Sequence, residues 1–321
     1  MVQQPELITD PMRAAEILRS GGLIAFPTET VYGLGVDASN EQAVKRLFAA
    51  KGRPGNNPLI VHVADRDQVQ LAAADVSDEA DKLLARFAPG PITVVLPKLS
   101  TISKLVTAGL DTVGVRIPAH EAARDMLAAA ARPIAAPSAN KSGRPSCTTT
   151  ESVLEDFGNE IDGILIGAAS DIGLESTEVD CTRRPPKLLR TGGISLSQLR
   201  SVVPDLLGPT QSLEPGENSP GRLHPHYQPQ AGVIVVDDMV NLASNASAAV
   251  LCLTTPWLAE RFGWVRVFRD SRDYAQHFYE SLREVDRRGL ATVYCENVMH
   301  GELHEALRDR LARAAEPRAN R

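Results

Sequence analysis

Six prolines, Pro204, Pro209, Pro215, Pro220, Pro225 and Pro229, recur through one stretch of this chain at intervals of four to six residues. Each lacks a backbone N–H and fixes φ, so neither a full helix nor a central strand can run through the stretch. Segment 204–231 is therefore expected to be a stiff, extended linker. It divides the 321 residues into a longer unit, 1–203, and a shorter one, 232–321. Each is long enough for a domain, and the 43% of apolar residues suffices for ordinary cores.

In the longer unit, Asp10 before Pro11 opens a helix and Gly21-Gly22 stops it. Leu23–Pro27 is an apolar run of strand length. From Asn40, Val44, Leu47 and Phe48 share one helical face, and that helix ends at Lys51-Gly52. Strands are expected over 58–63, 91–96, 112–117, 134–137, 163–166, 175–181 and 187–190, and helices over 77–87 and 120–131. Ser195 opens a further helix, with Gln198 placed to complete a capping box. Strands and helices interleave without strict alternation, which predicts an α/β fold built on a sheet of mixed direction. Gly33-Leu34-Gly35 lacks the third glycine of a dinucleotide fingerprint and opens no helix. Beyond the linker, strands at 232–236, 249–253, 265–268 and 292–295 combine with helices at 271–288 and 302–315 into a smaller α/β domain.

The chemistry is concentrated in loops. Lys51 and Arg53 put two cations within three residues. Ser138, Asn140 and Ser146 follow a strand, with Gly143 and Pro145 shaping the turn, so hydroxyls and backbone N–H groups can face phosphate oxygens. Arg116 lies in an apolar strand and needs an anion there, either a structural carboxylate or a ligand. Such a set suits a polyanion of the nucleoside triphosphate kind. The net charge of −6 argues against a dedicated nucleic-acid coat protein while allowing a local basic cleft. No run of about 18 apolar residues occurs, so no membrane span is expected. Residues 1–10 lack the layout of a signal peptide. Cys147, Cys181, Cys252 and Cys295 are far apart, as reduced thiols of a cytoplasmic protein would be. Pro225 between His224 and His226 rules out a helical metal-ligand pair.

In order along the chain, these segments resemble the YrdC/Sua5 family. Phe26-Pro27-Thr28-Glu29-Thr30-Val31-Tyr32-Gly33-Leu34 is similar to its opening signature. Lys51-Gly52-Arg53-Pro54 with Asn57-Pro58-Leu59-Ile60 is similar to the second block, and Pro89-Gly90-Pro91-Ile92-Thr93 to the third. Val115-Arg116-Ile117-Pro118, Ala136-Pro137-Ser138-Ala139-Asn140, Ser176-Thr177 and Leu189-Arg190 follow in order. Ser219-Pro220-Gly221 with His226-Tyr227-Gln228-Pro229 resembles the linker motif of the long, two-domain type.

The resemblance implies a twisted open sheet with a concave, positively charged cavity, a Rossmann-like second domain, and a linker that covers the cavity. The family's members are threonylcarbamoyl-AMP synthases. These nucleotidyltransferases join L-threonine, bicarbonate or CO2, and ATP into threonylcarbamoyl-AMP with release of pyrophosphate. The product serves t6A modification of tRNA, and a downstream tRNA threonylcarbamoyl transferase complex would consume it.

The family's tetrad falls on Lys51, Arg53, Ser138 and Asn140. ATP contacts fall on Arg53, Asn57, Thr112, Ser138, Ser146, Arg190 and Tyr227. Threonine contacts fall on Thr30, His62, Arg116, Ala136 through its backbone, and Ser176. Mg²⁺ is expected to arrive with ATP and no protein metal site is implied. No protein nucleophile set is visible, and a reaction of this class needs positioning and charge compensation more than a nucleophile. The chain departs from the family pattern at Thr191, at Glu178, at Arg222-Leu223-His224-Pro225 and most of all in the C-terminal domain. The alternative is an RNA-binding module of the same fold without ATP chemistry. The acidic total charge and 4% aromatic content count against it, and a salt titration of RNA binding would separate the two.

Overall fold

The computed structural model describes residues 4–209, 226–240, 242–255 and 259–317. The motif residues Ser219-Pro220-Gly221 and the departure at Arg222-Leu223-His224-Pro225 lie outside them. The chain opens on β1 (Glu6–Ile8), α1 (Pro11–Arg19), β2 (Ile24–Phe26) and β3 (Gly33–Asp37). α1 begins where Asp10 accepts a hydrogen bond from Met12 N–H at 2.9 Å and Pro11 takes the first helical position. α2 (Glu41–Lys51) is capped by the Asn40 side chain and closed by Gly52 at φ 60°, a left-handed geometry that glycine adopts at little cost. Next come β4 (Ile60–His62), α3 (Asp78–Phe87), β5 (Ile92–Pro97), β6 (Thr112–Arg116), α4 (Glu121–Ala130) and β7 (Ile134–Ala135). The half ends with α5 (Thr150–Phe157), β8 (Gly163–Leu165), β9 (Thr177–Asp180), β10 (Lys187–Arg190) and α6 (Leu196–Arg200), the last opened by the expected Ser195–Gln198 capping box.

These ten strands form one sheet in the order β1-β8-β2-β3-β7-β4-β6-β5-β9-β10. Four pairs are parallel (β1/β8, β2/β8, β4/β6, β5/β9) and five antiparallel (β2/β3, β3/β7, β4/β7, β5/β6, β9/β10), so the sheet is mixed as expected. Two apolar clusters cover its faces. Ala25 joins Leu47, Val61 and Leu83 in one, while its neighbours Ile24 and Phe26 join Leu18 and Met126 in the other. That split is the two-residue alternation of a strand buried on both sides.

β1, β3 and α5 were not anticipated from the sequence. β3 carries Gly33 and Gly35, which lower strand propensity. They are there for room, because a Cβ on Gly35 would stand 2.9 Å from the Phe26 ring. α5 closes its capping box with Thr149 and Ser152 instead of the Glu or Gln that marks such a start in sequence.

The second sheet contains β11 (Gly232–Val236), β12 (Ala248–Cys252), β13 (Trp264–Val267) and β14 (Thr292–Glu296), all parallel, in the order β11-β14-β12-β13. Helices α7 (Ser271–Arg287) and α8 (His304–Ala314) pack on it through Tyr274, Phe278, Leu282, Leu307 and Leu311. Their cluster continues across the domain border to Val31 and Leu174 of the first half and to Tyr227. The four cysteines are buried and unpaired. No helix among the described residues is long and apolar enough to cross a membrane.

Candidate functional site

β4 and β6 are parallel neighbours in register, with His62 opposite Arg116 at their carboxyl ends. Ligands of open α/β sheets gather outside that edge. A cavity of about 590 Å³, counting its open mouth, lies there. All five residues expected to meet threonine line it: Thr30, His62, Arg116, Ala136 and Ser176. Of the nucleotide and tetrad residues, Arg53, Ser138, Arg190 and Tyr227 line it as well.

Arg116 is 4% exposed, and its Nη2 donates to Glu29 Oε1 at 2.8 Å. The other Glu29 oxygen accepts from Ala119 N–H at 3.0 Å. The anion required by a buried strand arginine is thus a structural carboxylate. It engages one edge of the guanidinium, while Nε has no partner among the described residues. Thr28 Oγ1 donates to the Val31 carbonyl at 2.6 Å, which uses its only proton. In the 2.9 Å contact between the two hydroxyls Thr30 must therefore be the donor, and its lone pairs remain for a ligand N–H or O–H. Ser176 Oγ meets Thr93 Oγ1 at 2.8 Å and accepts from Arg190 Nη2 at 3.2 Å. Arg190 Nε also donates to the Ser176 carbonyl, so β10 and the start of β9 are tied at the cavity wall.

His62 stands edge-on to Phe26 and is 3% exposed. Burial, and then the neighbouring Arg116 charge, push its pKa down to about 3. The ring is therefore a neutral hydrogen-bonding wall at physiological pH. Between the ordinary 6.5 and about 3 the unfolded chain takes up a proton that the folded chain refuses. Stability should fall as pH drops through that window, by about 1.4 kcal/mol per pH unit from this residue. Between pH 7 and pH 5, denaturant unfolding should show the wild type losing about 2 kcal/mol more than His62→Gln. Equal losses would remove His62 as the source.

The tetrad loop is held from beneath. Lys51 is 2% exposed, and its ammonium donates to the carbonyls of Ser138, at 2.6 Å, and Asn140. Burial, and then the charge of Arg53, lower its pKa to about 7. Lys51 thus stands behind the loop and does not line the open cavity. Asn140 is also turned inward: its amide donates to the Lys141 and Arg144 carbonyls at 2.8 and 2.9 Å, and its Oδ1 accepts from Ser138 Oγ. Arg53 donates to the carbonyls of Asn57 and Pro58 at 3.2 and 2.8 Å, and burial lowers its pKa to about 10, which leaves it charged. Asn57 and Ser146 are fully buried beside the cavity, and Thr112 lies in an adjoining crevice with Glu178 and Pro58.

The linker end closes over this floor. His226 and Tyr227 line the cavity, and Tyr227 takes a left-handed φ of 66°, uncommon for a non-glycine residue. The Asn57 amide donates to His226 Nε2 at 3.4 Å, and Gln228 N–H donates to the Gly143 carbonyl at 2.8 Å. The Tyr227 ring sits 5.1 Å from that of Tyr279 on α7, and the Arg310 guanidinium of α8 lies 5.8 Å from its centre. Glu175 joins these parts, accepting from Ser146 Oγ at 2.7 Å, Tyr279 OH at 2.9 Å and Arg310 Nε at 2.9 Å. Burial alone would raise its pKa, but the charges of Arg310 and Arg190 hold it below the usual carboxylate range.

Sequence reasoning did not assign Glu29, Glu175 or His226 to the site. Glu29 had a signal, since Arg116 demanded an anion and Glu29 lies in the opening signature. Glu175 had none, because Tyr279 and Arg310, which tie it to the second domain, are more than a hundred residues away.

Comparisons with known proteins cover nearly all of this architecture. A family model described as telomere recombination, spanning Sua5, YciO and YrdC, matches residues 16–192. One described as the threonylcarbamoyl-AMP synthase C-terminal domain matches residues 194–316. A Pyrococcus abyssi protein named threonylcarbamoyl-AMP synthase is 40% identical, with 94% of this chain and 93% of that protein covered. A Bacillus subtilis protein of the same name is 37% identical over 94% of this chain and 92% of its own. The crystal structure of P. abyssi Sua5 complexed with L-threonine superposes with a TM-score of 0.86 at 38% identity, covering 95% of this chain and 94% of that one. The chain belongs to the Sua5/YciO/YrdC family, in the two-domain Sua5 form that carries both matched modules.

Proposed function

We propose that this protein condenses L-threonine, bicarbonate or CO2, and ATP into threonylcarbamoyl-AMP and pyrophosphate, supplying the intermediate for t6A modification of tRNA. The observation that carries the reading is one cavity shared by three guanidinium groups, Arg53, Arg116 and Arg190, and by the hydroxyls of Thr30, Ser138 and Ser176. It can take two anions side by side, an amino-acid carboxylate and a triphosphate. The relatives named threonylcarbamoyl-AMP synthase and the L-threonine complex support the same assignment.

Arg116 is the partner for the threonine carboxylate, since a guanidinium anchored on one edge can still bind an anion on another. Thr30 accepts from the amino acid, and neutral His62 and the Ala136 backbone shape its pocket. The threonine amine captures CO2 or bicarbonate as a carbamate, whose oxygen attacks the α-phosphorus as pyrophosphate departs. Arg53, Arg190 and the Ser138 loop, with Asn57, Thr112 and Ser146 around it, hold the nucleotide and spread the developing charge. Lys51 and Asn140 act through that loop. Tyr227 closes the cavity and limits water, which protects a mixed anhydride from hydrolysis.

The only carboxylate among the described cavity-lining residues is Glu175, and its oxygens already accept from Ser146, Tyr279 and Arg310. The described lining residues therefore offer Mg²⁺ no cage at the cavity, and we assign the ion to the triphosphate as part of the substrate. Pyrophosphate release measured with ATP, threonine and bicarbonate, each omitted in turn, should fall to background in every omission. Release that continues without threonine would overturn the proposal.

A further inference from the structure

We infer that Arg283, on the second domain's α7, is a positioning residue for the nucleotide half of the cavity. The inference rests on the synthase reading above and adds a role for the second domain. Arg283 is 1% exposed. Its Nη1 donates to Asp156 Oδ1 at 3.0 Å, and its Nη2 donates to Asp156 Oδ2 at 3.1 Å and to the Pro145 carbonyl at 2.6 Å. Nη2 also lies 3.1 Å from Cys147 Sγ.

Asp156, on α5 of the first domain, passes this grip to the tetrad loop. Its Oδ2 accepts from Lys141 N–H at 2.8 Å, and its Oδ1 pairs with Arg144 at 2.7 Å. The Cys147 carbonyl in turn accepts from Tyr32 N–H at 2.8 Å, beside β3. The 138–147 loop is thus clasped twice. Lys51 pulls it from the first domain at Ser138 and Asn140, and Arg283 holds its far arm from the second domain.

A planar guanidinium explains the residue type. One group spans both carboxylate oxygens and still reaches a third acceptor, which a lysine ammonium cannot do in the same geometry. Arg283 also shares a face of α7 with Tyr279, one turn earlier, whose hydroxyl fixes Glu175 and through it Ser146. Two side chains of one foreign helix therefore bear on this loop, Arg283 at Pro145 and, through Asp156, at Lys141 and Arg144, and Tyr279 through Glu175 at Ser146. The threonine pocket is built from Thr30, His62, Arg116, Ala136 and Ser176, none of which Arg283 touches.

Two measurements on the full chain test this. Amide exchange over residues 138–147, without ligand, should quicken in Arg283→Ala while exchange in α1 and α4 stays at the wild-type rate. Calorimetric titration should show ATP binding weakened about tenfold, equivalent to one loosened charge-assisted contact, with threonine affinity unchanged. Arg283→Lys, keeping the charge but losing the fork, should fall between. Should Arg283→Ala fail to fold, Asp156→Asn keeps the shape, removes the charge, and must shift loop exchange and ATP affinity the same way.

Unchanged loop exchange or unchanged ATP affinity in a folded variant would overturn the inference. So would equal losses of ATP and threonine, which report general softening. Loop exchange that quickens in Arg283→Ala while the wild type itself binds no ATP would overturn the synthase reading, and with it the nucleotide part of this one.

Discussion

Replacing Arg116 by alanine should cost the protein about 3–5 kcal/mol of stability and its hold on threonine together. The stability loss comes from what is left behind. Glu29 is 7% exposed, and without the guanidinium it would keep one backbone donor, Ala119 N–H, and no counter-charge in contact. The two effects can be separated. Arg116→Met combined with Glu29→Gln removes both charges at similar volume, and buried pairs replaced in this way often lose little stability. The double variant should therefore recover most of the unfolding free energy and still bind no threonine. Denaturant unfolding and threonine calorimetry on the three proteins decide the matter. If the single variant is as stable as the wild type, Glu29 does not depend on Arg116. If the double variant binds threonine normally, Arg116 is not the carboxylate partner.

Lys51→Met should lower turnover about a hundredfold, the scale of a small misplacement of groups that position the reactants, because the lost ammonium braces the tetrad loop from behind. The side chain is nearly isosteric, and Ser142 N–H still donates to the residue 51 backbone carbonyl at 2.9 Å, so the protein should stay folded. What is lost is the ammonium bridging the Ser138 and Asn140 carbonyls. A second readout identifies the charge. The Lys51 pKa lies at about 7 because of burial and then Arg53. An anion bound nearby raises the pKa of an ammonium, so ATP binding near pH 7 should take up a proton in the wild type and not in Lys51→Met. Calorimetry in buffers of different ionisation enthalpy measures that uptake. Full turnover in the variant would remove Lys51 from the machinery. Uptake that persists would place the proton elsewhere.

Much of the first domain was legible because its signals are local. Asp10-Pro11, Asn40, Ser77 and Ser195 each cap a helix at the place their residue types predict, and Gly52 closes α2. β3 was hidden because glycine serves two purposes. Gly33 and Gly35 make room for Phe26, yet in sequence they look like a turn. The site divides in the same way. Arg116 announced itself as an unbalanced charge in an apolar strand, and the partner it needed was found at Glu29. Lys51 also stood out, but a cationic residue does not say whether it faces the ligand or braces the loop behind it. The junction of Glu175, Asp156, Arg283 and Arg310 was not legible at all. Arg283 and Arg310 lie on amphipathic helices, where charged residues are ordinarily solvated. Only the fold turns them inward across 127 and 135 residues of chain.

That separation has a consequence for biogenesis. Ribosomes deliver chain from the N-terminus at roughly 5–20 residues per second, so on the order of ten seconds pass between the emergence of Asp156 and that of Arg283. During that interval Asp156 has only the partners made with it, Arg144 and Lys141 N–H, and Glu175 has Ser146, while the ion pairs that Arg283 and Arg310 add are still to come. Translation order thus fits α7 and α8 after the first domain, and the walls around Glu175 and the 138–147 loop are complete only once those helices have been made.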